Sequence, residues 1–266
     1  MIITLLSDLG YKDSMLGVVK GIFLKAIPDI TIMDISHDVV PFHSLECSYI
    51  LGNSYNFFPA HTIHICLFDI PLKKYDYWLL CPIEDYIILC PENGILPLSF
   101  ENKIDKAYKI PLKADSFLDC VQQLSFYLSE WYSEGINWED YALIDPQKMF
   151  PSLDPYITEN GIEAQVLHIN RYGNVVLNIH KNKFYEIVGN RKFSIHFSRH
   201  DSLSKIVQYY EDVEEGDPLF RFNDFGFLEF AVNRGSAASL YGLNNLPARQ
   251  LVYSKFKITI QDDSNS

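Results

Sequence analysis

The chain has 266 residues, a length that fits one large domain or two modest ones. Hydrophobic residues make up 48% of it and charged residues 21%, so it can bury a core and is not disordered as a whole. Its 34 acidic and 22 basic residues give a net charge of −12, which argues against nucleic acid or an anionic membrane surface as a partner.

The cysteines and the apolar segments bear on the compartment. Five cysteines are odd in number and include no Cys-x-x-Cys pair, which argues against a disulfide framework and a structural zinc site. The apolar start over 2–6 is short, lacks a basic leader and runs into Asp8, and no run approaches the ~18 apolar residues of a membrane span. We therefore expect a cytoplasmic protein without a metal.

The first 150 residues alternate between strand and helix patterns. The elements predicted, in chain order, are a strand over 1–7, a helix from 13 that ends at 28, a strand over 30–35, a helix over 45–57 and a strand over 62–68. This alternation predicts an α/β domain over 1–150, with a Rossmann-like, mostly parallel sheet flanked by helices. Ligand groups of such sheets lie beyond the carboxyl ends of the strands, which is where Asp8, Asp34 and Asp69 fall.

The pattern changes to short strands after about residue 160. Strands are predicted over 163–169, 175–179, 192–197, 218–222, 226–232 and 250–260. Their spacing favours a small antiparallel β-barrel or sandwich over 160–262. The proline-rich segment 145–155 is the natural boundary between the two domains.

Two polar turns of the first domain have both a functional and a structural interpretation. The carboxylate of Asp8, on a strand-to-helix turn, can accept hydrogen bonds from the vicinal hydroxyls of a ligand, or it can serve as an ordinary turn residue. His37 lies in a loop after Asp34 and can act as a ligand or a base, although a lone loop histidine is more often structural.

The second domain has two comparable turns. Asn174 and Asn178 flank a turn that leads into a strand, so their amides can face the edge of a heterocyclic base, or the segment can be a plain hairpin. The small residues over 233–238 let a ligand approach the backbone, and they equally fit a tight barrel corner.

Together these segments resemble one family, the S-adenosyl-L-methionine hydroxide adenosyltransferases, which also include the fluorinase and the chlorinase. The segments that carry the resemblance are 7–13, 17–21, 28–29, 34–37, 57–59, 91–96, 172–175, 226–229 and 233–237. The resemblance implies an N-terminal α/β domain, a C-terminal β-barrel and a homotrimer whose ligand lies between the N-domain of one subunit and the C-domain of a neighbour.

The resemblance also implies roles for adenosyl-binding residues. Asp8 would hold the ribose hydroxyls, and Phe42 and Tyr210 match aromatic positions that wall the adenosyl group. Asn174 would recognise the adenine edge, with backbone groups near Arg234 completing the contacts. A dry aromatic slot with a few fixed polar groups suits adenosine.

The catalytic positions match the family less well. Its water-using members have an aspartate, an arginine and a histidine that position and activate water at C5′ of the sulfonium substrate. Asp69 matches the aspartate, unless it is only a solvated loop carboxylate. Where the family has an arginine after this aspartate, the chain offers Lys73 or Lys74.

Further substrate positions have also changed. Ser116 and Phe117 match the family's motif before its histidine, and Leu118 stands where the histidine is expected. Asn170 replaces an aspartate that meets the methionine ammonium, and Asp224 replaces a serine near the methionine carboxylate. A carboxylate at 224 repels another at 4 Å by about 1 kcal/mol even in water. We therefore expect methionine to bind poorly, unless its amino group turns toward this residue.

Two functions follow from this comparison. The first is an enzyme that hydrolyses S-adenosyl-L-methionine to adenosine and methionine at a low rate, with water as the nucleophile, no cofactor, and Asp69 needed for activity. The second is an inactive pseudoenzyme that keeps the adenosine slot. A halogenase is disfavoured because nothing in the sequence recreates a halide pocket.

Overall fold

The computed structural model describes residues 1–100, 103–145, 153–243 and 254–261. The chain divides into two compact units, Met1–Ser152 (unit 1) and Leu153–Ser266 (unit 2). Most of the segment 145–155, where the sequence predicts the domain boundary, lies outside the described residues.

Unit 1 is an α/β domain. Its strands are β1 (Ile2–Ser7), β2 (Thr31–Ser36), β3 (Ile63–Leu67), β4 (Tyr77–Ile83), β5 (Tyr86–Pro91), β6 (Ala107–Pro111) and β7 (Ala142–Ile144). Its helices are α1 (Met15–Ala26), α2 (Ser44–Ser54), α3 (Ile95–Phe100) and α4 (Phe117–Glu134), with short 3₁₀ turns at Tyr55–Phe57 and Trp138–Asp140.

The seven strands form one mixed sheet in the order β2-β1-β3-β5-β4-β6-β7. The first four of these strands pair in parallel, which confirms the predicted α/β fold. The pairs β4–β5, β4–β6 and β6–β7 are antiparallel, and the first of them is a hairpin that the sequence analysis did not identify. Parallel strands end at a common edge, so the segments after β1, β2, β3 and β5 meet there.

Apolar side chains cover both faces of this sheet. Successive residues of a strand point to opposite faces, and Leu5 accordingly joins the core beneath α1 and α4 while Leu6 joins the core beneath α2 and α3. In α1 the buried residues Leu16, Val19 and Phe23 follow the helical spacing of three to four. The two cores hold the carboxyl edge of the sheet in place.

Unit 2 is an antiparallel β domain. Its elements are β8 (Tyr156–Thr158), β9 (Gly161–Ile169), β10 (Val175–His180), α5 (Lys181–Val188), β11 (Phe193–His196), β12 (Ser202–Leu203), a 3₁₀ turn (Tyr210–Asp212), β13 (Pro218–Phe222), β14 (Phe227–Val232), α6 (Ala237–Leu240) and β15 (Lys255–Ile260).

The strands run in the order β12-β11-β15-β9-β10-β14-β13, with β8 paired to β9. The sheet is nearly barrel-shaped around an aromatic core that includes Phe184, Phe220, Phe230 and Phe256, which confirms the predicted small antiparallel barrel. Residues 250–253 of the last predicted strand lie outside the described residues. In the described ranges, no helix is long and apolar enough to cross a membrane.

Candidate active site

Two of the predicted carboxylates meet at the carboxyl edge of the unit 1 sheet. Asp8 follows β1 and Asp69 follows β3, and the backbone N–H of Asp69 donates a hydrogen bond of 3.4 Å to Oδ2 of Asp8. Burial raises the pKa of Asp8 and the charge of Asp69 adds to the rise, while hydrogen bonds from the backbone N–H groups of both residues oppose it. The edge therefore concentrates negative charge that a cationic ligand would stabilise.

A row of polar side chains lies beside these carboxylates and runs from the buried Ser7 and His37 to the exposed Asp34. Ser7 Oγ is 2.7 Å from Nδ1 of His37, and Nε2 of His37 is 3.0 Å from Oδ1 of Asp34. Nζ of Lys20 donates to Oδ2 of the same aspartate at 2.7 Å. Ser7 and His37 are both fully buried in the chain, so this serine–histidine–aspartate arrangement does not present a nucleophile.

The contact between Ser7 and His37 instead fixes the turn that carries Asp8. The N–H of Leu9 donates to Oγ of Ser7 at 3.3 Å, and the N–H of Gly10 donates to the carbonyl oxygen of His37 at 2.7 Å. The first bond closes the turn on the end of β1, and the second joins the turn to the segment that follows β2. Of the two interpretations of His37, the geometry supports the structural one.

The backbone at Asp69 adopts a left-handed conformation with φ of 40°. The side chain of Asn93, just after β5, donates from Nδ2 to the carbonyl oxygens of Phe68 at 2.7 Å and of Asp69 at 3.4 Å. Its Oδ1 accepts from the N–H of Ile95 at 3.2 Å. A non-glycine residue held at positive φ by its neighbours is a frequent feature of functional sites. Sequence reasoning missed Asn93, although its place after a parallel strand is a usable signal.

The two candidate lysines lie on the loop after Asp69. Both are exposed, and the N–H of Lys74 donates to the carbonyl oxygen of Pro71 at 3.1 Å. Nζ of Lys74 lies 5.1 Å from the centre of the Tyr75 ring. Neither Lys73 nor Lys74 forms an ion pair with any residue that the structure describes, so no such contact fixes either ammonium group beside the carboxylates.

The segment that matches the family's histidine motif forms the start of α4. Ser116 is the N-cap, and its Oγ accepts from the N–H of Asp119 at 3.1 Å. Phe117 packs against the core, and Leu118 in the first turn is 38% exposed. The hydroxyl of Ser116 is thus used in capping, and Leu118 presents an apolar surface at this point.

Phe42 lies in the loop between β2 and α2. Its backbone has φ of 66°, and its side chain is among the exposed aromatics of unit 1, with 69% accessibility. An exposed ring of this size can stack on a flat ligand.

Unit 2 contains a pocket of about 780 Å³. Its lining residues are Tyr172, Asn174, Tyr210, Glu211, Val232, Asn233, Arg234, Gly235 and Ser236. Three predicted adenosyl-binding residues, Asn174, Tyr210 and Arg234, therefore come together here. The size and mixed lining are typical of small-molecule sites.

The asparagines of this region have different surroundings. Oδ1 of Asn170 accepts from the N–H groups of Tyr172 at 3.0 Å and Asn174 at 3.1 Å, which builds the turn between β9 and β10. Oδ1 of Asn178 accepts from the N–H of Gln165 at 2.6 Å, and its Nδ2 donates to the carbonyl oxygen of Leu153 at 2.9 Å. Of these three asparagines, Asn174 is the one that lines the pocket.

A hydrogen-bond network lies behind Asn174. The Tyr210 hydroxyl donates to Oε1 of Glu229 at 2.7 Å and accepts from Arg221 at 2.9 Å and from Nδ2 of Asn174 at 3.2 Å. Burial raises the pKa of Glu229, and the Tyr210 hydrogen bond and the charge of Arg221 oppose the rise. The Arg221 guanidinium lies 4.7 Å from the centre of the Tyr210 ring. Sequence reasoning did not select Arg221 or Glu229.

The two remaining predicted residues lie at the surface. Arg234 has φ of 56° and belongs to the pocket lining, and its side chain is 76% exposed and lies 3.7 Å from Glu215. The Asp224 side chain is 97% exposed, and Oδ1 lies 3.8 Å from Arg221. Neither Asn170 nor Asp224 belongs to the pocket lining. In the part of the chain described here, no cluster of three histidine, cysteine or acidic side chains could hold a metal ion.

Two family models match the chain in order. The SAM hydroxide adenosyltransferase N-terminal domain matches residues 3–131, and the SAM hydroxide adenosyltransferase C-terminal domain matches residues 164–248. Together they span most of the chain.

Individual proteins match over nearly the whole chain as well. A Methanocaldococcus jannaschii protein named (R)-S-adenosyl-L-methionine hydrolase is 23% identical over 95% of this chain and 96% of its own. A Thermus thermophilus protein of the same name is 24% identical over 92% of this chain and 98% of its own.

Solved structures show the same fold. An uncharacterised conserved protein from Thermotoga maritima has a TM-score of 0.72 at 22% identity and covers 97% of this chain and 100% of its own. A conserved hypothetical protein from Thermus thermophilus has a TM-score of 0.70 at 19% identity, covering 97% of this chain and 99% of its own.

Proposed function

Because the chain belongs to the SAM hydroxide adenosyltransferase family, we propose that it binds the adenosyl group and hydrolyses S-adenosyl-L-methionine (SAM) to adenosine and methionine at a low rate. The water oxygen forms a bond to C5′, the C5′–sulfur bond breaks with its electron pair going to sulfur, and one proton is released. The observation that carries this proposal is the pairing of Asp8 and Asp69 at the carboxyl edge of the sheet.

The charge at this edge suits the substrate. A sulfonium is positively charged, and two neighbouring carboxylates attract it in the ground state. Asp8 would accept hydrogen bonds from the ribose hydroxyls, which places C5′ near Asp69. Asp69 would then orient a water molecule for attack and accept its proton. Sulfur is already a good leaving group, so the proposal requires no metal or other cofactor.

The low rate follows from the residues that stand at the family's other catalytic positions. Leu118 neither donates nor accepts a proton, and the exposed Lys73 and Lys74 have no ion-pair partner among the described residues to hold them in place. Losing one fixed polar group at a reacting centre costs a factor of about 10²–10³ in rate. Two such losses leave slow turnover unless a lysine compensates.

Adenosine release from SAM, followed chromatographically, tests the enzymatic proposal. We expect slow release by the natural chain, a loss of at least tenfold in Asp69→Asn, and a gain in Leu118→His. Asp29→Asn is the matched control, because Asp29 is exposed in the loop between α1 and β2 and should leave the rate unchanged. Undiminished release by Asp69→Asn would remove this carboxylate from the mechanism.

The second candidate function is adenosine or SAM binding without turnover, and the apolar Leu118 favours it. Calorimetry with adenosine separates the candidates, because both require binding and only one requires release. We expect Asp8→Ala to weaken adenosine binding at least tenfold. A chain that binds adenosine at micromolar concentration and releases none from SAM is the pseudoenzyme; a chain that binds none at millimolar ligand refutes both.

We also propose a homotrimer with sites completed by neighbouring subunits. The proposed ribose and catalytic residues belong to unit 1 and the proposed base-binding residues to unit 2. Each unit also has a strongly exposed aromatic, Phe42 at 69% and Tyr172 at 78%. Covering such rings is a common reason for association. Light scattering should give about three times the chain mass of 30.7 kDa, and a single-chain mass at micromolar concentration would contradict the shared site.

A further inference from the structure

We propose that Glu229, acting through the Tyr210 hydroxyl, fixes the orientation of the Asn174 amide and thereby makes the unit 2 pocket select a 6-aminopurine over a 6-oxopurine. This inference rests on the proposed adenosyl-binding function. Glu229 and Arg221 are positioning residues in it, because neither lines the pocket, whereas Asn174 does.

The direction of each hydrogen bond in the network follows from the groups involved. A guanidinium can only donate and a carboxylate can only accept, whereas a phenol has one proton and two lone pairs. At 2.7 Å, Glu229 takes the Tyr210 proton, and at 2.9 Å Arg221 donates to one of the lone pairs. The phenol oxygen can then offer Asn174 only its remaining lone pair.

The Asn174 amide must therefore present its nitrogen to Tyr210. The observed contact is Nδ2 to the phenol oxygen at 3.2 Å. Rotating the amide by half a turn would bring Oδ1 against the phenol oxygen with no proton between the two atoms. Asn174 is only 5% exposed, so water does not readily replace the lost bond.

Burial makes this constraint effective. Glu229 is 3% exposed, and its Oε1 lies 3.6 Å from the guanidinium of Arg221, whose side chain is 17% exposed. Arg221 and Glu229 are also cross-strand partners in the β13–β14 pair. Hydrogen bonds in a region of low dielectric strengthen one another and resist rearrangement.

The orientation leaves Oδ1 of Asn174 for the ligand. No described residue donates to this oxygen, and Asn174 lines the pocket. An asparagine can bind adenine through two bonds, accepting from the 6-amino group and donating its second amide proton to the adjacent ring nitrogen. A 6-oxopurine such as that of inosine would bring a carbonyl oxygen against Oδ1, and unpaired polar contacts of this kind cause strong rejection.

The test compares adenosine and inosine by calorimetry with the full chain at pH 8. We expect the natural chain to bind adenosine at least tenfold more tightly than inosine. Glu229→Gln keeps a carbonyl oxygen that can accept the Tyr210 proton and should preserve that ratio within about threefold. Changing both Arg221→Met and Glu229→Met removes the constraint without leaving a buried charge, so Tyr210 can donate to Asn174, and the ratio should fall at least tenfold.

Tyr210→Phe provides a second variant in case the double variant does not fold. Without the phenol hydroxyl, neither amide orientation is favoured, so the adenosine-to-inosine ratio should fall at least threefold. A purely structural network would weaken both nucleosides equally, so an unchanged ratio in the folded variants overturns the inference. Equal binding of the two nucleosides by the natural chain would refute the inference alone, whereas binding of neither would refute the proposed function as well.

Discussion

Replacing Gly173 by alanine perturbs the turn that carries Asn174. Gly173 has φ of +81°, and a Cβ atom built there would lie 2.0 Å from Oγ, 2.7 Å from Cβ and 3.2 Å from Cα of Ser236. Rotating the serine side chain moves only its oxygen, so the contacts with Cβ and Cα remain. The hydroxyl is also needed where it is, because Oγ of Ser236 caps α6 by accepting from the N–H of Ser239 at 3.1 Å.

The destabilisation expected from Gly173→Ala combines backbone strain and overpacking. A left-handed conformation costs an alanine about 1–2 kcal/mol. Forcing an extra methyl group into a filled space typically costs about 1–3 kcal/mol. We therefore expect Gly173→Ala to lower the free energy of unfolding by about 3 kcal/mol and to weaken adenosine binding, because Tyr172, Asn174 and Ser236 all line the pocket.

Gly242→Ala provides the matched control in the same unit. Gly242 has φ of +69° just after α6, but nothing lies within 4 Å of the added Cβ, so only the strain of about 1–2 kcal/mol applies. Urea unfolding followed by fluorescence, together with adenosine calorimetry, distinguishes the two variants. Equal destabilisation, or full adenosine affinity in Gly173→Ala, would refute the close packing of this turn against Ser236.

Two further predictions concern charge in unit 1. Glu92 is 4% exposed and forms no hydrogen bond with a described residue. Burial raises its pKa by more than the charges of Lys109 and Lys74 lower it, so its carboxylate destabilises the fold as pH rises above its unfolded pKa. Glu92→Gln should raise the free energy of unfolding at pH 8 by about 1 kcal/mol and change it little at pH 4, and a lower urea midpoint at pH 8 would contradict this. Burial raises the pKa of Asp34, but the hydrogen bonds from Lys20 and His37 outweigh burial and leave the pKa lowered. The ionised Asp34 therefore stabilises the fold above its unfolded pKa, and this stabilisation is lost as pH falls through its folded pKa. Lys20→Met should cost about 0.5 kcal/mol at pH 7 and less at pH 3, and a pH-independent cost would refute this pairing.

The parts of the fold that were predictable carry local signals. The strand–helix alternation of β1 to β3 is visible because apolar residues recur with the period of each element. The β4–β5 hairpin has no such signal at its turn: Ile83 pairs with Tyr86, and the two residues between them are Glu84 and Asp85. Glu84 adopts φ of 53°, where a turn signal would normally be glycine or asparagine.

In the candidate site, too, the residues with a local sequence signal could be predicted and those without one could not. Asp8 and Asp69 follow apolar strands, and the rule that parallel strands end together is enough to predict that they meet. Arg221 and Glu229 are eight positions apart, and their pairing depends on the register between β13 and β14. Register is set by the whole sheet and not by any short motif, so the network behind Asn174 needs the three-dimensional structure.

The proposed binding and catalytic groups also differ in how firmly the chain holds them, and this determines whether the expected loss of activity falls on kcat or on KM. Asn174 is fixed by hydrogen bonds before any ligand arrives, whereas Lys73 and Lys74 are exposed and have no ion-pair partner among the described residues. Ordering a lysine side chain costs up to about 2 kcal/mol of rotamer entropy, and that cost falls on the transition state if the lysine is needed only there. A proton-transferring histidine at position 118 would also be needed only in the transition state. Leu118→His should therefore raise kcat while leaving KM within about threefold, and a change in KM alone would show that this position acts in binding.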